Sequence, residues 1–258
     1  RFWLKDYPPG VPADVDVTLY RSLPELMEES FRKYAQRGAF VFMDHALTYA
    51  ELDRLSAAFG AWLQRKGLAR GARVAIMMPN VLQYPVALAG ALRAGCVVVN
   101  VNPLYTPREL EHQLKDSGAE AIVVLENFAA TLQQVVARTS IKHVIVTSIG
   151  DLLGFPKSAV VNFAVRRIRK MVPPYSLPGH LQLTDVLEEG HGRTLERVPL
   201  EPEEIAFLQY TGGTTGVAKG AVLTHRNLIA NLLQSEAWLE PALHDTRRGP
   251  VPEQFVYV

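Results

Sequence analysis

Four short apolar runs, Val74–Met78, Cys96–Val101, Ala121–Leu125 and Val144–Thr147, constrain the fold of this chain more than any other feature. Each is bounded by Gly, Pro, Asn or charged residues, and none alternates apolar with polar side chains. A strand with one wet face would alternate, so these runs suit strands buried on both faces, as in a parallel sheet. Helical patterns lie between them: 81–94 joins the first pair and 106–117 joins the second. Strand-helix-strand-helix order predicts an α/β fold with doubly wound, mostly parallel sheets and flanking helices. At 258 residues and 48% apolar, the chain has enough material for one large core or two smaller ones.

Helix starts are written locally. Thr48 followed by Glu51 has capping-box spacing, which predicts a helix over 48–66, and Thr106-Pro107-Arg108-Glu109 repeats the device with Pro107 at a position that needs no amide hydrogen. Further helices are expected over 23–37 and 227–239, and strands over 205–210 and 253–258. Lys plus Arg total 27 against 26 Asp plus Glu, so no global field gathers nucleic acid, and none is expected as a partner. The one cysteine, Cys96, sits in an apolar run, as suits a buried thiol in a reducing compartment. No apolar stretch reaches the roughly 18 residues of a spanning helix, and 1–6 does not have the form of a signal peptide. A cytoplasmic location follows as the expectation.

One segment is asymmetric. Residues 152–184 carry Lys157, Arg166, Arg167, Arg169 and Lys170 with no Asp or Glu, interleaved with Val160, Val161, Phe163, Ile168 and Met171. A basic amphipathic helix ending before Pro173-Pro174 is expected. Two uses stay open: a helix packed on its own domain, or peripheral contact of 157–171 with an anionic membrane at the inner face of the cytoplasmic membrane.

The chemistry concentrates in Tyr210-Thr211-Gly212-Gly213-Thr214-Thr215-Gly216-Val217-Ala218-Lys219-Gly220, directly after the strand pattern of 205–210. Glycines clear side-chain bulk where backbone amides converge on an anion, threonines add hydroxyl donors, and Lys219 is a point charge within reach of phosphate oxygens. A Walker loop would need Gly-Lys-Ser/Thr, and Lys219 is flanked by Ala218 and Gly220. The dinucleotide fingerprint fails because Gly212 and Gly213 are adjacent. Composition alone also admits a plain Gly/Thr turn between two strands.

The whole string resembles the nucleotide-phosphate signature of the adenylate-forming superfamily, which includes acyl-CoA synthetases, luciferases and peptide-synthetase adenylation domains. The stretches 77–80, 83–88, 93–95, 100–110, 160–163 and 223–227 are similar to those of bacterial long-chain fatty-acid:CoA ligases, so the likeness covers nearly the whole chain. It implies ATP-dependent activation of a fatty acid to an acyl-adenylate and then an acyl-CoA, with fatty acid, ATP and CoA as substrates and Mg2+ as the metal. By that resemblance Tyr210, Thr211, Gly212, Gly213, Thr214, Thr215, Gly216, Lys219 and Gly220 bind the nucleotide, Thr211 helps place the metal, and Lys219 balances charge on departing pyrophosphate. His225 is expected to be structural and Arg108 a surface charge. The resemblance further implies that 1–70 begins a second α/β subdomain, 71–228 forms the first and ends with the phosphate loop, and 229–258 resumes the second. The missing Met and the strand-like ending point to a truncated chain, inactive by itself. A ligase for a medium-chain, aryl or amino acid, a non-catalytic nucleotide-binding or membrane-associated module, and a homo-oligomer remain open alternatives.

Overall fold

A computed structural model of the chain describes residues 2–68, 70–211 and 218–243. Helix α1 (Leu23–Lys33) opens the fold on Ser22, whose side chain accepts from the Glu25 amide. It is shorter than the expected 23–37, because the Arg37 amide turns back to the Tyr34 carbonyl at 2.8 Å and the chain enters a hairpin. That hairpin, β1 (Gly38–Phe42) with β2 (His45–Thr48), is a separate antiparallel pair. Helix α2 (Tyr49–Arg65) starts on the Thr48–Glu51 capping box: the Glu51 amide donates to Thr48 Oγ1 at 3.2 Å and the Thr48 amide to Glu51 Oε2 at 2.8 Å.

The chain then lays down β3 (Arg73–Met77), α3 (Gln83–Arg93), β4 (Val97–Asn100), α4 (Pro107–Ser117), β5 (Ala121–Leu125), α5 (Ala129–Gln133) and β6 (His143–Thr147). Next come α6 (Lys157–Phe163), which widens into a π turn over Ala164–Ile168, then β7 (Leu181–Gln182), α7 (Leu183–Gly190), β8 (Ile205–Thr211), β9 (Lys219–Thr224) and α8 (His225–Leu243). Among the described residues one sheet has seven strands in the order β7-β6-β5-β3-β4-β8-β9. Every pairing in it is parallel except β8 with β9. The parallel, doubly wound expectation is met, with β4 and β5 laid on opposite sides of β3.

Burial on both faces follows the pleat of β3. Val74 and Ile76 face a core shared with Phe31, Phe59, Trp62, Leu63, Val86 and Leu183 of the helices α1, α2, α3 and α7. Ala75 and Met77 face a second core with Leu110 and Leu114 of α4 and Ala129 and Leu132 of α5. Cys96 lies in the first core, and burial pushes its thiol up to about 12. A thiolate, and with it nucleophilic chemistry, is disfavoured there.

Helices α2 and α3 approach so closely that side chains are excluded at the contact. A β-carbon added at Gly90 would stand 2.8 Å from the Ser56 carbonyl oxygen and 2.8 Å from Phe59 Cδ1. Gly190 of α7 meets the Ala58 carbonyl in the same manner. Gly90→Ala must therefore part α2 from α3, and is expected to lower unfolding free energy by roughly 1–3 kcal/mol. Urea denaturation measures this; a change below about 0.5 kcal/mol, the range of neutral surface substitutions, would contradict the close approach.

Candidate functional site at the carboxyl edge of the sheet

Parallel pairing brings the carboxyl ends of β3, β4 and β8 to one edge, where open α/β sheets bind ligands. Asn100, the last residue of β4, pairs in register with Gln209. Its Nδ2 donates to Gln209 Oε1 at 3.0 Å, its Oδ1 accepts from the Tyr84 phenol at 3.0 Å, and its carbonyl accepts from Gln113 Nε2 at 2.7 Å. Burial raises the Tyr84 pKa, which keeps the phenol a donor. Four elements, α3, β4, α4 and β8, are thus tied together beneath the edge by a polar network.

Above it stands the β8–β9 hairpin. Thr211 and Lys219 are cross-strand partners, and both are exposed. Tyr210, one residue earlier, is 8% exposed, and its Oη donates to Asp116 Oδ2 at 2.5 Å. Burial first, and then the Asp116 carboxylate, push the phenol's pKa well up, so it remains a donor. Just before β9 the Ala218 carbonyl accepts from His112 at 3.1 Å; a carbonyl only accepts, so Nε2 carries the hydrogen. Gly220 packs under the Tyr210 ring, where an added β-carbon would lie 3.0 Å from ring carbons.

Of the residues singled out from sequence, Tyr210, Thr211, Lys219 and Gly220 therefore come together at the edge. Gly212, Gly213, Thr214, Thr215 and Gly216 lie outside the described residues, as does the strand expected over 253–258. Among the described residues no group of three or more His, Cys, Asp or Glu side chains could hold a metal ion. Magnesium bound through substrate phosphates keeps several waters and needs only one or two protein oxygens. The exposed Thr211 hydroxyl fits that modest demand. Sequence reasoning missed Asp116, His112 and Gln209, whose partners lie far away along the chain.

His225 is 2% exposed, and its Nδ1 accepts from the Leu23 amide at 3.2 Å, closing the start of α1. It is structural, as expected. Arg108 is exposed, also as expected. In the basic segment the structure divides the cations. Arg166 Nε spans both oxygens of Glu126 at 3.0 and 2.8 Å, and its Nη2 donates to Ser148 at 2.6 Å. Arg167, Arg169 and Lys170 remain exposed beside Phe155 (90% exposed), Val160, Phe163, Ile168 and Met171. The single amphipathic helix expected there is instead α6 followed by the π turn.

The family model described as "AMP-binding enzyme" matches residues 27–256. A long-chain-fatty-acid–CoA ligase of Escherichia coli O6:H1 is 54% identical over 245 residues, covering 95% of this chain but only 44% of the relative's length. The ligase of that name from Bacillus subtilis is 31% identical over 259 residues, spanning 99% of this chain and 46% of its own. Among solved structures, a long-chain-fatty-acid-CoA ligase from Archaeoglobus fulgidus superposes with a TM-score of 0.67 at 27% identity, over 90% of this chain and 42% of that one. The chain thus spans less than half the length of these relatives.

His225 also makes stability depend on pH. Burial holds its pKa below the ordinary 6.5, with the Glu204 charge opposing weakly, so the unfolded state binds the proton more readily. Its contribution is fully present above that value and is lost as pH falls through 6.5 toward the folded-state pKa. His143 is depressed in the same direction, so the test is a difference between proteins. His225→Leu should lose roughly 1–3 kcal/mol at pH 8 through the unpaired Leu23 amide, and the gap to wild type should narrow on going to pH 5.5. Denaturant titrations at both pH values read this; a gap that stays constant would contradict the neutral, accepting histidine.

Proposed function

Because the chain belongs to the AMP-binding enzyme family, we propose that it carries the phosphate-gripping part of a long-chain fatty-acid:CoA ligase, an AMP-forming acid-thiol ligase. The observation that carries this reading is the facing pair Thr211 and Lys219, both exposed at the carboxyl edge of a parallel sheet and flanked by the hydrogen bonds that Tyr210 and Ala218 make to one helix. A fatty-acid carboxylate would attack the α-phosphorus of ATP, the bond to the bridging oxygen would break, and pyrophosphate would leave. The CoA thiol would then take the acyl group and release AMP. Carboxylate is a weak nucleophile, so most of the acceleration comes from positioning and from neutralising the leaving group.

In that scheme Lys219 would offer its ammonium to the departing pyrophosphate, and the Thr211 hydroxyl would help hold a magnesium ion, which would supply further charge neutralisation there. Tyr210 and Gly220 act as the frame that aims them, and Gly212, Gly213, Thr214, Thr215 and Gly216 belong to the same phosphate grip. The division into 1–70, 71–228 and 229–258 is part of the proposal as a division of chain segments. Its first boundary separates α2 from β3, which share one core here. Lys219→Ala in the intact protein is expected to cut fatty-acid-dependent ATP–pyrophosphate exchange roughly 100-fold, in line with loss of one preorganised charge-stabilising group. Exchange within about threefold of wild type would contradict the role of Lys219.

The reading extends to location, cytoplasmic with peripheral contact at an anionic bilayer through 157–171. Support comes from charge complementarity, since Arg167, Arg169 and Lys170 lack acidic neighbours in 152–184 and stand among exposed Phe163, Ile168 and Met171. Among the described residues no helix is long and apolar enough to cross a membrane. Arg166 is left out of the docking set because it is bound to Glu126. In flotation with phosphatidylglycerol vesicles, the combined Arg167→Glu, Arg169→Glu and Lys170→Glu variant should lose most binding, since each cation near such a surface contributes about 1 kcal/mol. Unchanged flotation would remove this contact.

A further inference from the structure

We propose that Asp116 and His112, on one face of α4, are positioning residues that set where the β8–β9 hairpin presents Thr211 and Lys219; this rests on reading that hairpin as an ATP site. The two side chains are one helical turn apart and reach opposite arms of the hairpin. Asp116 holds the Tyr210 phenol near the end of β8, at 2.5 Å, and His112 holds the Ala218 carbonyl immediately before β9, at 3.1 Å. Thr211 follows the first tie directly, and Lys219 follows the second.

The two strands need this support unequally. Strand β8 is braced by β4 on one side and β9 on the other, whereas β9 ends the sheet and pairs, among the described residues, with β8 alone. The exit of the hairpin is thus secured by the His112 bond and by contact of Gly220 with the Tyr210 ring. Helix α4 is a firm base for both ties. It starts on the Thr106–Glu109 capping box, buries Leu110 and Leu114 in the core, and ends on left-handed Gly118. Gln113 of the same helix holds the Asn100 carbonyl at 2.7 Å, so α4 spans the ends of β4, β8 and β9 together.

A site that must hold a polyphosphate gains from donors placed before the ligand arrives, because reorganisation on binding costs affinity. The variants to compare in the intact protein are Asp116→Ala and His112→Ala with Asp116→Asn and His112→Gln, whose amides can still accept from the phenol or donate to the carbonyl. Equilibrium titration with MgATP should show the alanine variants weakened roughly 5–20-fold, as for loss of a strong hydrogen bond that orders the site. The Asn and Gln variants should recover to within about threefold of wild type, with KM for the fatty acid unchanged. ATP affinity unchanged in the alanine variants would overturn the proposal. Equal loss toward ATP and fatty acid without recovery by Asn or Gln would also overturn it, as the mark of general structural damage. Wild-type protein that binds ATP yet catalyses no fatty-acid-dependent exchange would refute the ligase reading alone, with the binding ratios still deciding the role of α4. Wild-type protein that binds no ATP would overturn both.

Discussion

Burial of β3 on both faces is the constraint from which the rest of the structure follows. Its residues alternate between two cores, Val74 and Ile76 into one, Ala75 and Met77 into the other, and a polar side chain on either face would sit unpaired. Polar chemistry is therefore confined to strand ends. Parallel pairing places the carboxyl ends of β3, β4 and β8 side by side, so Asn100 collects at one edge with Gln209 and Thr211, which lie more than a hundred residues further along the chain. The edge is where polar side chains can gather because the interior of the sheet excludes them.

Much of this architecture was legible because it is written in local signals. The apolar runs became β3, β4, β5 and β6 within a residue or two, and both Thr-x-x-Glu boxes cap helices as their spacing requires. The β1–β2 hairpin and the short helix α7 lacked such signals. Phe40 and Val41 of β1 are exposed, so no buried face imposed a pattern on the sequence there. The polar framework of the site was invisible for another reason. Asp116 meets Tyr210 across 94 residues and His112 meets Ala218 across 106, and neither side chain stands in a pattern that differs from an ordinary wet helix face.

The basic segment shows how one charge count conceals two roles. Sequence marks Arg166, Arg167 and Arg169 alike, but the fold brings Glu126, at the end of β5, to Arg166. The Glu126 side chain is 2% exposed, and a polar group so buried needs a close partner and hydrogen bonds to offset its lost hydration. Arg166 supplies both and anchors the segment to the sheet. Asn162 adds a second anchor by donating to Asp151 and accepting from the Gly150 amide, at 2.9 and 2.8 Å. The neighbouring cations are then displayed from a fixed base.

The same separation between holding and presenting recurs at the hairpin. Tyr210 is buried with its phenol donating to Asp116, and Gly220 closes against its ring. Thr211 and Lys219, immediately beyond them, are exposed. Such an arrangement suits charge that develops during a reaction. Groups already locked by hydrogen bonds need not reorganise when an anion forms, so the field they aim costs little at the moment of bond breaking. A loop with the same residues on a free hairpin would offer equal charge but would have to be ordered first, at roughly 1–2 kcal/mol for each backbone residue fixed. What distinguishes this edge is therefore the helix behind the hairpin as much as the residues on it.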